Sequence, residues 1–258
     1  MKRLFTFGCS FTQWWWPTWA DLIAPSYDHF ENWAIKGCGN RTIAERLSEF
    51  LLQNDITEDD TIIVQWTDYH RHDIHMDRAR PGSNWSSSGG IWTNKFTPEW
   101  VKEYWTEPSY IMHSLNFINF GINLLENQPC KWYMTTYIEL QSEIEPYPQM
   151  HFYKKIFEHP NWVNPPIQEY TTLLGYTYTD FNCSFLDRDH HPSPEYYALW
   201  LEHCLLSKLE VSIDYDYLNK INQDFKFIQN MSDDEERSSQ TIWPVSRWYM
   251  DRDLKFGL

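Results

Sequence analysis

Three side-chain types that together cleave esters lie at opposite ends of this sequence. Ser10 follows a short apolar run, Leu4 to Phe7, in the segment Gly8-Cys9-Ser10-Phe11-Thr12. Far along the chain, Asp187-Arg188-Asp189-His190-His191-Pro192-Ser193-Pro194 crowds two carboxylates and two imidazoles into one polar stretch. A serine hydroxyl is a poor nucleophile until a base takes its proton, and histidine, titrating near neutrality, serves best. The base in turn needs a carboxylate to fix its tautomer and to stabilise the imidazolium. The loop offers two pairings, Asp189 with His191 and Asp187 with His190. Taken singly, Ser10 also fits a turn residue and the acidic-histidine segment an exposed polar loop. Between them, Asn32-Trp33-Ala34-Ile35-Lys36-Gly37-Cys38-Gly39-Asn40 supplies two glycines that allow close backbone approach and an amide donor in Asn40. A tetrahedral oxyanion takes two or three such donors, each worth about 3–4 kcal/mol of transition-state stabilisation.

Two other groups of residues suggest chemistry. Asp68, His70, His72, Asp73, His75 and Asp77 alternate polar ligand types, but they meet no ligand spacing of a known metal motif. A solvated or substrate-facing loop is the expectation there, with no metal. The run Trp14-Trp15-Trp16 and the tryptophans Trp85, Trp92, Trp100 and Trp105 could stack on sugar; aromatic core and loop packing is the alternative.

The elements that must position these residues can be read from periodicity. Leu4 to Phe7, ending at Gly8, reads as a buried strand and a turn. A helix following Ser10 would aim backbone N–H groups at developing negative charge. Ile43, Ala44, Leu47, Phe50 and Leu51 line one face of a helix over Arg41 to Gln53. Thr61 to Trp66 is a β-branched run of the buried parallel type. Strand, helix, strand in this order implies a right-handed crossover and a parallel sheet, with Ser10 at its carboxyl edge, where ligands collect. Tyr110 to Leu125 is a helix and Trp132 to Ile138 another strand. Pro194 to Leu209 is a helix with Ser193 as N-cap and Pro194 at its first position. Irregular, aromatic-rich insertions are expected at about 69–109 and 139–185. Beyond residue 210 the chain turns acidic, with a weak helical signal at Tyr217 to Ile228.

Bulk composition excludes several classes. A formal charge of −15 repels a phosphate backbone, so nucleic acid is not an expected partner. No apolar run approaches the ~20 residues that span a bilayer, so no membrane partner is expected. An odd count of cysteines, Cys9, Cys38, Cys130, Cys183 and Cys204, suits reduced thiols in a cytoplasm.

Taken together, the three segments resemble the SGNH (GDSL-like) serine hydrolase superfamily. Phe7-Gly8-Cys9-Ser10-Phe11-Thr12 resembles its first block, in the G-x-S-F-T variant common among phage and marine bacterial members. Asn32 to Gly37 matches the second block, N-x-A/G-x-x-G, and Asp189-x-His191-Pro192 resembles the last. The likeness covers roughly residues 1–70 and 185–208. It implies a three-layer α/β/α sandwich around a mostly parallel five-stranded sheet, formed by residues 1–210, with 211–258 an acidic, partly helical extension. It further implies Ser10 as nucleophile, His191 as base, Asp189 as its orienting carboxylate, and Gly37 in the oxyanion hole with Asn40. No cofactor is implied, and the substrate is a small-molecule or carbohydrate ester, such as an O-acetylated sugar. Two departures stand out. The third block should supply an asparagine, but Gln65-Trp66-Thr67-Asp68 has none, so Asn40 or Thr67 must stand in. The superfamily usually sets Asp three residues before His, a spacing met by Asp187 and His190; the His-Pro-Ser-Pro anchor favours Asp189 and His191.

Overall fold

The computed structural model describes residues 1–80, 83–86, 89–91, 96–182 and 188–230, with 75–80, 83–86 and 228 described by backbone only. The order of elements is β1 (Arg3–Phe7), α1 (Trp19–Ile23), β2 (His29–Asn32), α2 (Asn40–Gln53) and β3 (Asp60–Trp66). A hairpin, β4 (Ile74–Arg80) and β5 (Ser83–Ser86), precedes α3 (Pro98–Tyr104), α4 (Glu107–Glu126) and β6 (Lys131–Thr136). Then come α5 (Lys154–Phe157), α6 (Ile167–Leu173), the short ribbon β7 (Thr179–Asp180) and β8 (Arg188–Asp189), and α7 (Pro194–Cys204), α8 (Leu206–Leu209) and α9 (Tyr215–Gln229).

The main sheet runs β2-β1-β3-β6 and is parallel throughout, with Phe7 opposite Val64 and Val64 opposite Met134. Side chains alternate across it. One face carries Phe5 and Phe7, which meet Phe50 of α2 at 4.6 and 5.4 Å. In the same register Trp66 and Met134 close on Gly121 of α4, where a Cβ would lie 2.6 Å from the Trp66 ring. The other face carries Tyr133, whose hydroxyl donates to the Lys208 carbonyl of α8 at 2.8 Å. On that side α1 packs on α7 through Trp19 and Trp200. Helices therefore cover both faces, as expected of a three-layer α/β chain.

Among the described residues the sheet has four strands, not the expected five. Where a fifth would lie beside β6, Asn161 to Val163 makes a single parallel bridge: Met134 N donates to Asn161 O and Val163 N to Met134 O. Asn164 is followed by Pro165 and Pro166, which have no N–H for a ladder, and pairing stops. Strand β2 is not legible as an apolar run. It alternates buried Phe30 and Asn32 with His29 and Glu31, which pair with each other at 2.8 Å. The helix expected over Pro194 to Leu209 breaks at Leu205, and Ser193 has the extended N-cap backbone without a capping bond from its hydroxyl. Leu218, Ile221 and Phe225 of α9 are buried, and Phe225 meets Trp16 edge-on at 5.2 Å; residues 231–258 of the expected acidic extension lie outside the described residues.

Cys9, Cys38, Cys130 and Cys204 are buried free thiols, and Cys183 lies outside the described residues. No helix among the described residues is long and apolar enough to cross a membrane.

Candidate functional site

Strand β1 sits in the middle of its sheet because the chain leaves it to one side for β2 and returns to the other side for β3. At such a reversal the loops leaving the two adjacent strands diverge, and a crevice opens at the carboxyl edge. Ser10 follows β1 at that crevice, and Thr67 to Arg71 follows β3.

The turn after β1 is fixed by Gly8. A Cβ there would lie 2.2 Å from Thr12 Oγ1 and 3.0 Å from the Gln65 carbonyl, so only glycine lets Thr12 fold back. The Thr12 hydroxyl donates to Gln65 Oε1 at 3.0 Å, and Thr12 N and Gln13 N both donate to the Cys9 carbonyl. That is one turn and no more. The helix expected directly after Ser10 is absent, and α1 begins only at Trp19. The second loop is stitched to the first: Ile35 N donates to Gly8 O at 3.0 Å, and Asn32 Nδ2 to Thr12 O at 2.8 Å. Gly37 turns this loop at φ 75, a left-handed conformation that favours glycine. Among the described residues, neither the Ser10 nor the Gly37 amide N–H donates to a protein partner.

At the last loop, β8 pairs Asp189 opposite Thr179. Asp189 Oδ1 lies 2.6 Å from His191 Nδ1 and also accepts the His191 N–H at 2.7 Å. His191 faces the first loop: its ring lies 4.6 Å from the Phe11 ring and stacks on Trp14 at 3.7 Å and 18°. Trp16 Nε1 donates to the Pro192 carbonyl at 2.8 Å, closing the two loops together. His191 Nε2 is buried and has no hydrogen-bond partner among the described residues. Burial pushes the His191 pKa below the ordinary histidine range; Asp189 opposes this, while the Arg71 and Lys36 charges add to it. The imidazole is therefore neutral near pH 7, as a general base must be. His190, by contrast, is exposed and its Nδ1 approaches the Thr177 carbonyl. Asp187 lies outside the described residues.

Asn40 and Thr67 engage each other: Asn40 Nδ2 donates to Thr67 O at 2.9 Å, and Thr67 N to Asn40 Oδ1 at 2.8 Å. This leaves Asn40 one amide hydrogen for any further role. Thr67 Oγ1 is buried without a partner among the described residues.

Three more residues complete the setting: Asp68, which sequence reasoning weighed only as a metal ligand, and Arg71 and Lys36, which it did not single out. Asp68 accepts from His70 N at 2.7 Å, from the Tyr137 hydroxyl, and from Arg71 Nε at 3.4 Å. Burial opposes its charge, but these hydrogen bonds and the Arg71 cation hold its pKa below the usual carboxylate range. Arg71 Nη1 donates to the Cys38 carbonyl at 3.1 Å and its guanidinium lies 5.6 Å from the Tyr137 ring centroid, so a cation is anchored between the second and third loops. Lys36 Nζ sits 3.7 Å from the Trp15 ring centroid, and burial lowers its pKa to about 8. The only advance signal for Arg71 was its i, i+3 spacing from Asp68 just past a buried strand; Lys36 had none beyond its place beside Gly37. The residues weighed as metal ligands are engaged otherwise. Asp73 accepts from Gly39 N and Thr42 N at the start of α2, His72 Nδ1 meets the Tyr110 hydroxyl at 2.8 Å, and His70 stacks on Tyr69; the His75 and Asp77 side chains lie outside the described ones. Nor is Trp14-Trp15-Trp16 an open platform, since Trp14 covers His191 and Trp16 is fully buried.

The sequence matches no protein-family model and no curated protein. Among solved structures it is similar to a Bacteroides fragilis protein whose acylhydrolase activity is an inferred one, at 14% identity and a TM-score of 0.39, over 85% of this chain and 87% of that one. It is also similar to the protein YxiM of Bacillus subtilis, at 12% identity and a TM-score of 0.34, over 68% of this chain and 49% of that one. Likeness at this level leaves the chemistry to be argued from the chain's own residues.

Proposed function

We propose that the chain is a serine ester hydrolase of the SGNH type, acting through an acyl-serine intermediate. The observation that carries this reading is the Asp189–His191 pair, with Nδ1 held at 2.6 Å and a buried, partnerless Nε2 on a ring that packs against Phe11 of the Ser10 loop. In this mechanism His191 Nε2 takes the Ser10 proton as Oγ attacks the ester carbonyl. The collapsing tetrahedral intermediate expels the alcohol, which His191 protonates. Water, deprotonated by His191, then releases the acid and restores the Ser10 hydroxyl. Asp189 keeps the proton on Nδ1 and stabilises the imidazolium. The Ser10 and Gly37 N–H groups receive the oxyanion. The remaining Asn40 amide hydrogen or the Thr67 hydroxyl takes the part of the missing third-block asparagine, with the Arg71 charge behind them. The substrate class is a small-molecule or carbohydrate ester, and the four free thiols suit a reducing cytoplasm.

A second reading, an SGNH-fold binding protein without activity, draws on one observation: His191 Nε2 makes no hydrogen bond to Ser10. Catalytic hydrogen bonds often tighten only when substrate binds, which favours the enzyme. Labelling with a fluorophosphonate separates the two, because only an activated serine reacts. Labelling of the wild type and none of Ser10→Ala, with hydrolysis of p-nitrophenyl acetate lost in parallel, is the expected result. A folded wild type that does not label overturns the hydrolase reading.

A further inference from the structure

A cavity of about 670 Å3 is lined by neither Ser10 nor His191. It opens between the start of α2, the segment Arg71 to Asp73, and the helices α3 and α4, so the 69–109 insertion builds one of its walls. Its volume falls within the roughly 300–1,000 Å3 typical of small-molecule sites. Arg71 and Asn40 belong both to its lining and to the surroundings of the candidate catalytic pair: Arg71 lowers the His191 pKa, and Asn40 holds Thr67.

The lining discriminates between ligand classes. Its charges compensate one another. Arg41 Nε pairs with Glu45 at 2.9 Å, Arg71 with Asp68, and Asp73 accepts two backbone N–H groups of the α2 terminus. Burial lowers the His72 pKa, and its Nδ1 is engaged by the Tyr110 hydroxyl. Among the described lining residues, both arginines have a carboxylate partner and both carboxylates have a donor, which favours a ligand without net charge. What the wall offers is aromatic surface edged by polar groups: Trp100 lies 5.7 Å from Tyr104 and 5.0 Å from His72, centroid to centroid. The C–H faces of a pyranose carry partial positive charge and suit the negative face of an aromatic ring, while its hydroxyls suit the remaining Asn40 amide hydrogen and the open lone pairs of the Glu45 carboxylate.

We propose that this cavity is a binding subsite for a neutral saccharide, stacked on Trp100 and Tyr104, and that it holds the sugar portion of the ester whose acyl group reaches Ser10. The second half of this statement rests on the hydrolase reading; the first does not. The sugar platform is thus placed in the insertion and not in the Trp14 to Trp16 run.

The test is a binding measurement on full-length Ser10→Ala protein, in which no chemistry occurs. A panel of neutral and uronic-acid oligosaccharides is screened on a glycan array, and each hit is titrated by tryptophan fluorescence. Binding of neutral members, weakened tenfold or more by Trp100→Ala, is expected. Tyr104 is 60% exposed, so Tyr104→Ser keeps the test valid if Trp100→Ala does not fold, and it should weaken the same ligands. Binding confined to acidic members, no binding at all, or binding indifferent to both substitutions overturns the proposal. Fluorophosphonate labelling of the wild type is a separate readout. Neutral-glycan binding without labelling retains the subsite and removes the hydrolase reading, whereas labelling without glycan binding does the reverse.

Discussion

The two ends of the parallel sheet treat their polar groups in opposite ways. At the amino end, Arg3 grips Asp60 with two bonds of 2.7 and 2.6 Å, and its Nη2 also reaches the Asp55 carbonyl. Asp60 additionally accepts the Thr57 N–H and hydroxyl, at 2.7 and 3.1 Å. At the carboxyl end, His191 Nε2 and Thr67 Oγ1 are buried without partners among the described residues, and two loop N–H groups there donate to nothing described. A buried polar atom left unsatisfied costs about 1–3 kcal/mol. One edge of the sheet engages its polar groups in the fold; the other leaves several without protein partners among the described residues, at the expense of stability.

The same chemical change at the two ends should therefore have opposite effects. Asp189→Asn is expected to lower ester turnover by up to about four orders of magnitude through the wrong imidazole tautomer, while the urea midpoint hardly moves; steady-state kinetics and denaturation on one preparation check both. Asp60→Asn, which breaks a part-buried ion pair, should cost about 1–3 kcal/mol of unfolding free energy and leave turnover unchanged. Its effect has a defined pH range. The Arg3 bonds hold the Asp60 pKa below its unfolded value against the cost of burial. The contribution is thus complete above about pH 4, the unfolded aspartate value, and is lost as the pH falls through the folded one. Stability curves of wild type and variant should converge in acid. Thr67→Val removes a partnerless hydroxyl at nearly constant volume and should raise stability by up to about 1 kcal/mol; a simultaneous fall in kcat would assign Thr67 Oγ1 to the oxyanion. The smallest effect is electrostatic. The acid limb of kcat/KM should lie below about pH 6.5, the ordinary histidine value, and Lys36→Gln should shift it upward by a fraction of a unit, because a charge that disfavours imidazolium is gone.

Much of this contrast was written locally in the chain. The strands β1, β3 and β6 are apolar runs, and α2 and α4 have an apolar face, so periodicity finds them within a few residues. The place of Ser10 just past β1 and the Asp189–His191 hydrogen bond were legible because each lies within a short motif. Other features depend on distant partners. Strand β2 is polar by composition and exists because β1 offers its free edge. The fifth strand, implied by resemblance, fails at Pro165 and Pro166. Arg71 and Trp14 gain their roles only when Cys38, Tyr137 and His191 are brought beside them, and no window of sequence contains those contacts.

The hydrogen bond from Trp16 to the Pro192 carbonyl spans 176 residues, against 57 for Arg3 to Asp60. Closing the longer loop costs about 1 kcal/mol more chain entropy, and contacts so distant in sequence tend to form late. On refolding, helices and most of the sheet can thus be in place while the two loops are still apart. Recovery of far-UV ellipticity would then precede recovery of esterase activity, and a species native by its backbone would for a time be chemically inert.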